Sequence, residues 1–422
     1  MEFSPPRGTS DLLPPASEQL RALADMGARR AELYGYRSIE TPAFEQTELF
    51  ARTSGESSDL VRKEMYTFED KGGRSLTLRP EGTAPVVRAF LDRRNDVSLP
   101  FKTYYLEAMW RYGRPQAGRL REFRQFGIEC IGAPEPEADI EVILVGDEYL
   151  RETGLDRLEL QLNSIGDAAC RPAYREELLE YLERNRERLV DEHRAHFRAN
   201  PMRVLDCKDA ACREVAAGAP KISDRLCQAC KEHFEGVRDG LAQEGVTFVH
   251  VPTLVRGLDY YTRTTFEWVS HVLSEGQATV GGGGRYDGLA EVLGGPATPG
   301  IGFALGLERI LLALQTEGKD IGGAGLRCFV VAIGDAARPY ANDLSRRLRA
   351  ERITTGAAFG SRPLKAQLRM ADRAGATFAV IIGDKEAAAE TVKIRRLADG
   401  HEEEFGLDEA IVWIRTEGAA EA

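Results

Sequence analysis

The sequence predicts an α+β protein: a largely antiparallel sheet flanked by helices, broken by a helical insertion and followed by a separate small α/β domain. Three observations carry this. The flanks of Met109–Cys130 alternate with period two, as half-buried strands do. Leu106, Ala108 and Trp110 share one face of the outgoing strand, and Glu107, Met109 and Arg111 the other; on the return Phe126, Ile128 and Cys130 oppose Gln125, Gly127 and Glu129. Pro115 and Gly118 mark the loop between them. Second, residues 170–245 turn helical, charged and cysteine-bearing, an inserted subdomain. Third, Ile321-Gly322-Gly323-Ala324-Gly325 is a linker, after which strands and helices alternate. The expected domains are 1–320, containing the insertion, and 326–422.

In chain order, Ser17 can cap a helix with an apolar stripe of Leu20, Leu23, Ala24, Gly27 and Ala31, closed by Gly35. A strand over residues 37–40 stops at Pro42. Residues 65–68 and 75–78 form a hairpin around Asp70-Lys71-Gly72-Gly73. Glu81 and Thr83 stand at the strand end before the next helix, where N-capping is the plainer role. A helix is expected over 135–150, and strands over 158–162, 248–254, 266–269 and 277–281. The glycine-dense Gly281–Gly284 allows close backbone approach to a ligand but opens no dinucleotide fingerprint. Residues 301–314 read as an apolar helix carrying Glu308 and Arg309, an arginine that would pair with a neighbouring acid. The last domain is expected as strands 329–333, 357–359, 378–382 and 392–397 with helices 343–350 and 364–374.

The chain has 422 residues, 43% hydrophobic and 29% charged, with a net charge of −11, the pattern of a globular protein not coated in nucleic acid throughout. Yet between Arg111 and Arg124 lie five arginines and one acid, Glu122, a local invitation to a polyanion. No apolar run reaches membrane-spanning length. Met-Glu-Phe-Ser-Pro-Pro lacks secretory or transit character, and seven cysteines without a signal predict a reducing, cytoplasmic setting.

The polar residues expected on the sheet face are Glu81, Thr83, Arg111, Gln125, Glu129, Arg256, Tyr260 and Tyr261. Acids hold an ammonium or an imidazole N–H, arginines hold phosphate or carboxylate through a matching fork, and tyrosines wall a pocket with a polar tip. That combination suits an amino acid meeting a nucleoside triphosphate, with catalysis by positioning and charge stabilisation.

The same residues carry a resemblance. Arg7-Gly8-Thr9, Lys63-Glu64-Met65-Tyr66-Thr67-Phe68, Leu76 through Thr83, Arg114-Pro115-Gln116, Arg256-Gly257-Leu258-Asp259-Tyr260-Tyr261, Gly283 through Gly288 and Gly306-Leu307-Glu308-Arg309 together resemble the histidyl-tRNA synthetases, class II aminoacyl-tRNA synthetases. The resemblance implies a class II antiparallel sheet, a C-terminal anticodon-binding domain, activation of L-histidine with ATP and magnesium, transfer to tRNA-His, and a homodimer formed through the first helix and strand. It implies that Arg111 and Arg256 are catalytic at the α-phosphate. It implies that Glu81, Thr83 and Gln125 hold the α-amino group, and Glu129 and Tyr261, beside Tyr260, the imidazole. Phe123 would stack on adenine, Arg309 bind ATP, and Arg114 and Gln116 reach tRNA. Ser361-Arg362-Pro363-Leu364-Lys365 lies near the expected basic helix of the anticodon module. The alternative within this resemblance is a non-catalytic, histidine-sensing paralogue, the regulatory subunit of ATP phosphoribosyltransferase. Such paralogues typically lose the arginine loop, the R-G-L-D-Y-Y string or the last domain, and this chain has all three.

Two positions depart from the family pattern: Gly113 stands where an acid usually contacts adenine, and Arg124 where histidine is frequent. Cys207, Cys212, Cys227 and Cys230 resemble a zinc ligand set, the Cys227-x-x-Cys230 half having suitable spacing and Cys170 being a fifth candidate; buried free thiols are the plainer reading.

Overall fold

A computed structural model describes residues 3–417 apart from 56, 57, 59, 208, 275, 323 and 324. Gly323 and Ala324 of the linker thus lie outside the described residues. The chain forms two compact units, Met1–Ile321 and Gly322–Ala422.

The first unit is built on an eight-stranded sheet. Its order is Arg37–Ser38, Phe101–Trp110, Glu122–Ile131, Gly300–Gly306, Thr279–Arg285, Thr262–Ser270, Leu158–Ser164 and Phe248–His250. The six inner strands pair antiparallel, and the outer pair at each edge is parallel. The expected antiparallel, helix-flanked sheet is therefore present. One face packs Phe126, Ile128, Cys130, Phe266, Trp268 and Phe303 against the helices Ala16–Leu33, Pro136–Glu152 and Leu307–Thr316. The other face carries Tyr105, Met109, Tyr260, Tyr261 and Tyr286. Burying apolar area on the first face stabilises the fold by roughly 25 cal/mol per Å².

The first helix begins at Ala16, so Ser17 lies inside it; Gly35, at φ +80°, closes it. The Asp70 turn forms as expected, the Asp70 Oδ1 accepting from the Gly72 and Arg74 amides at 2.8 and 2.9 Å. One reading needs correction. Residues 301–314 are not one helix: Gly300–Gly306 is a strand buried on both faces, and only Leu307–Thr316 is helical. A short, wholly apolar run has no period with which to tell strand from helix. Gly281–Gly284 lies within the strand Thr279–Arg285. A Cβ on Gly283 would sit 2.0 Å from the Gly302 carbonyl oxygen.

Between Leu158–Ser164 and Phe248–His250 the chain makes helices Arg171–Arg184, Asp191–His196, Ala210–Ala217 and Gln228–Gln243 with short 3-10 turns. The second unit is a five-stranded sheet, ordered Thr355–Ala357, Cys328–Ile333, Phe378–Gly383, Thr391–Arg396 and Glu402–Gly406, with helices Ala337–Ala350, Leu364–Arg373, Asp384–Ala389 and Leu407–Glu417. Its last strand and last helix have weak sequence signals and were not expected. Ser361 through Lys365 are exposed and lead into the helix Leu364–Arg373. No helix of the described residues is long and apolar enough to cross a membrane.

Candidate active site

The central hairpin sets the site by register. Glu107 stands opposite Gln125, Tyr105 opposite Gly127 and Thr103 opposite Glu129, so Gln125, Gly127 and Glu129 line one face two residues apart. Gly127 and Gly82 make the slot for the Tyr105 ring, since a Cβ on either would lie 2.2 or 2.4 Å from its Cζ. A buried ion pair braces the hairpin on the same face: Arg79 meets Glu107 at 2.7 Å, and Glu107 also accepts from the Thr41 amide at 2.6 Å.

Glu81 caps the helix Thr83–Arg93, accepting from the Thr83 and Ala84 amides at 2.7 and 3.1 Å. Burial nevertheless raises its carboxyl above the ordinary value. Thr83 turns its hydroxyl away from capping and donates to Glu129 Oε1 at 2.7 Å. Tyr286 donates to Glu129 Oε2 at 2.5 Å. Glu129 has no solvent exposure, and burial, opposed by those two hydrogen bonds, pushes its carboxyl up to about 8. Tyr260 reaches Glu81 at 3.5 Å and packs against Tyr261 with ring centroids 4.7 Å apart. Gln125 buries its side-chain carbonyl oxygen without a donor among the described residues. An unpaired buried acceptor costs free energy until a donor arrives.

Beside this acidic pocket lie the arginines. Arg111 donates to the Pro80 carbonyl at 2.7 Å, with its guanidinium 5.4 Å from the Phe123 ring centroid. Arg309 donates to the Gly118 and Thr279 carbonyls at 3.0 and 2.6 Å. Neither meets a carboxylate within ion-pair distance among the described residues. Burial lowers both guanidinium groups, and Arg309 is lowered further by Arg111, Arg119 and Arg256. Arg256 differs: it pairs with Glu267, which holds it above the ordinary value despite burial. The glycine strand gives it room, a Cβ on Gly282 lying 2.9 Å from Arg256 Nη1.

Arg309 is thus not paired with its neighbour in sequence. Glu308 instead accepts from the Arg124 amide at 3.0 and 2.9 Å and from its guanidinium at 3.3 Å. Arg124 is a strut, with its charge turned from the pocket. At Gly113 a Cβ would lie 3.2 Å from Arg119 Nε, and Arg119 itself is held by Glu64 at 2.6 Å. Arg114 and Gln116 are exposed on the connecting loop. Gly8, at φ +89°, accepts from the Arg121 amide at 2.8 Å and docks the Arg7-Gly8-Thr9 string on that loop.

Sequence reasoning did not single out Tyr286, Tyr105 or Glu267. Tyr286 was visible inside the Gly283–Gly288 string; the others carry no local signal. Arg285 in that string is structural, wholly buried against Asp139 at 2.7 Å. The four cysteines do not form one set. Cys227 and Cys230 cluster with Asp167 and Cys170, while Cys207 and Cys212 lie with His193. Chain folding brings the residue before one helix, Cys170, to the start of another, a proximity that spacing does not reveal.

A family model for histidyl-tRNA synthetase matches residues 8–310, and one for the anticodon binding domain matches 327–417. The chain is 47% identical over 417 residues to the histidine–tRNA ligase of Moorella thermoacetica, covering 98% of each. It is 46% identical over 412 residues to that of Pelotomaculum thermopropionicum, covering 97% of each. The apo histidyl-tRNA synthetase of S. aureus superposes with a TM-score of 0.79 at 38% identity, over 98% of this chain and 99% of that one.

Proposed function

The chain belongs to the histidyl-tRNA synthetase family and is an aminoacyl-tRNA ligase, and on that premise we propose how its residues divide the work. It activates L-histidine with ATP to histidyl-adenylate, releasing pyrophosphate, and passes histidine to the 3′ end of tRNA-His. The observation that carries this division is the juxtaposition of Arg111 and Arg309, cations without acid partners among the described residues, with the buried acids Glu81 and Glu129. The cations suit a triphosphate and the acids suit the donors of histidine.

Glu81, Thr83 and the unpaired carbonyl of Gln125 receive the α-ammonium. Glu129 and Tyr261, with Tyr260 beside them, take the two imidazole nitrogens. Arg111 and Arg256 hold the α-phosphate, so that the histidine carboxylate attacks the α-phosphorus while charge on the phosphoryl oxygens is neutralised. Phe123 stacks on adenine, and Arg309 holds the triphosphate. Magnesium enters as part of the ATP substrate; the donors facing the phosphates are guanidinium groups, suited to oxyanions, not to a resident cation. Arg114 and Gln116 meet the acceptor end of tRNA, and the second unit meets the anticodon. A cytoplasmic homodimer joined through the helix Ala16–Leu33 completes the reading.

Histidine-dependent ATP–pyrophosphate exchange tests the activation step, and no signal with histidine would refute it and favour a non-catalytic paralogue. The family resemblance has Arg114 and Gln116 reach the extra guanosine at the acceptor end of tRNA-His, so aminoacylation of tRNA-His with and without that guanosine tests the loop.

A further inference from the structure

The insertion leaves the sheet after Leu158–Ser164 and returns through the helix Gln228–Gln243, and its two ends meet at a knot of four ligand-type atoms. Asp167 lies in the exit turn. Cys170 is the residue capping the helix Arg171–Arg184; Cys227 caps Gln228–Gln243, and Cys230 lies in that helix's first turn. The four donor atoms all lie within 4.8 Å of one another. Cys170 Sγ is 3.9 Å from Cys230 Sγ and 3.6 Å from Asp167 Oδ1, and Cys227 Sγ is 3.9 Å from the same oxygen.

Those separations are the edges of a metal-sized tetrahedron. A zinc–sulfur distance of about 2.3 Å places two thiolates about 3.8 Å apart, and a carboxylate oxygen about 3.5 Å from each sulfur. They are far from a disulfide, whose sulfurs are about 2.05 Å apart. The surroundings match the same chemistry. Two helix N-termini point at the knot, and their dipoles favour thiolate over thiol. Asp167 is held for one-oxygen ligation: Oδ1 faces the sulfurs, while Oδ2 accepts from Arg263 at 3.3 Å. Gly166, at φ +66°, turns the chain beneath Cys170, where a Cβ would come within 2.5 Å of the sulfur.

We propose that Asp167, Cys170, Cys227 and Cys230 form a structural zinc site that fastens both ends of the insertion to the catalytic sheet. All four positions are protein ligands, as in closed structural sites, so the metal carries no chemistry of the reaction. It does border the pocket. Arg263, which orients Asp167, exchanges backbone hydrogen bonds with Ile165 and Gly166 at 2.8 and 2.7 Å. Arg171, next to Cys170, donates to the Tyr261 carbonyl at 2.9 Å. Tyr261 is therefore tethered directly to the segment the zinc would hold. This proposal does not depend on which amino acid the pocket takes.

The test is metal analysis of the full-length protein, reduced, loaded with zinc and desalted. The expected result is about one zinc per chain, lost in Cys170→Ser and Cys230→Ser and kept in Cys207→Ser and Cys212→Ser. Should the serine variants fail to fold, cobalt substitution of the unmodified protein reads the site directly, through the visible bands of tetrahedral sulfur-ligated cobalt. Zinc should also shield Cys170, Cys227 and Cys230 from alkylation. Loaded protein without stoichiometric metal would overturn the proposal. So would metal lost only in the Cys207 and Cys212 variants, or a native disulfide within the Cys170, Cys227 and Cys230 group.

Discussion

Tyr286→Phe removes one oxygen atom and no ring, and it should move the pH dependence of histidine activation. The Tyr286 hydroxyl donates to Glu129 Oε2 at 2.5 Å and is the strongest influence opposing the burial that lifts this carboxyl to about 8. A hydrogen bond to a charged acceptor contributes about 1.5–3 kcal/mol, and 1.36 kcal/mol corresponds to a tenfold change in ionisation. Losing it should raise the Glu129 carboxyl by about one to two pH units. If ionised Glu129 receives an imidazole N–H, roughly a tenth of the enzyme is competent at pH 7 with the hydroxyl present, and ten- to a hundredfold less without it. The assay is kcat/KM for histidine in ATP–pyrophosphate exchange from pH 6 to 9.5. The acid limb should move to higher pH, with activity recovering as pH rises. A uniform loss at every pH, or an unmoved limb, would refute this role for Glu129.

Glu129→Gln should change how stability of the histidine-free protein varies with pH. The native carboxyl is raised from 4.5 to about 8, so the folded state holds its proton where the unfolded state has released it. The contribution of Glu129 to stability should be complete below about pH 4.5 and be lost as pH rises from there through about 8; the amide should flatten that slope in urea titrations. Glu308→Ala strips Arg124 of its amide and guanidinium acceptor; a loss of about 1–3 kcal/mol in urea unfolding is expected, and a neutral result would remove Arg124 as a strut. Arg114→Ala, at an exposed loop position, should slow aminoacylation of tRNA-His while leaving pyrophosphate exchange within about twofold. Equal losses in both assays would place Arg114 in the ATP site.

Much of this protein was legible because its signals are local. Period-two alternation around Met109–Cys130 is visible in a single strand, and the pairing of Glu107 with Gln125 follows once the hairpin closes. The alternation of elements after the linker identified the second α/β unit for the same reason. The strings from Arg7 to Arg309 pointed to the family because each keeps its chemistry within a few residues.

What tertiary structure alone decided depends on where distant segments meet. The apolar run at 301–314 has no internal period, so only its pairing with Glu122–Ile131 on one side and Thr279–Arg285 on the other makes its first half a strand. Glu308 could serve Arg309 or Arg124, and the packing of the helix Leu307–Thr316 against the hairpin chose Arg124. That choice leaves Arg309 bonded to carbonyls beside the other arginines, where an anion is wanted. The cysteines show the same principle. Sequence spacing joined Cys207 and Cys212 to Cys227 and Cys230, whereas the fold joins the latter two to Asp167 and Cys170. Composition and periodicity report what one segment prefers; which charges are neutralised, and which thiols meet, is settled by the sheet and helices that bring those segments together.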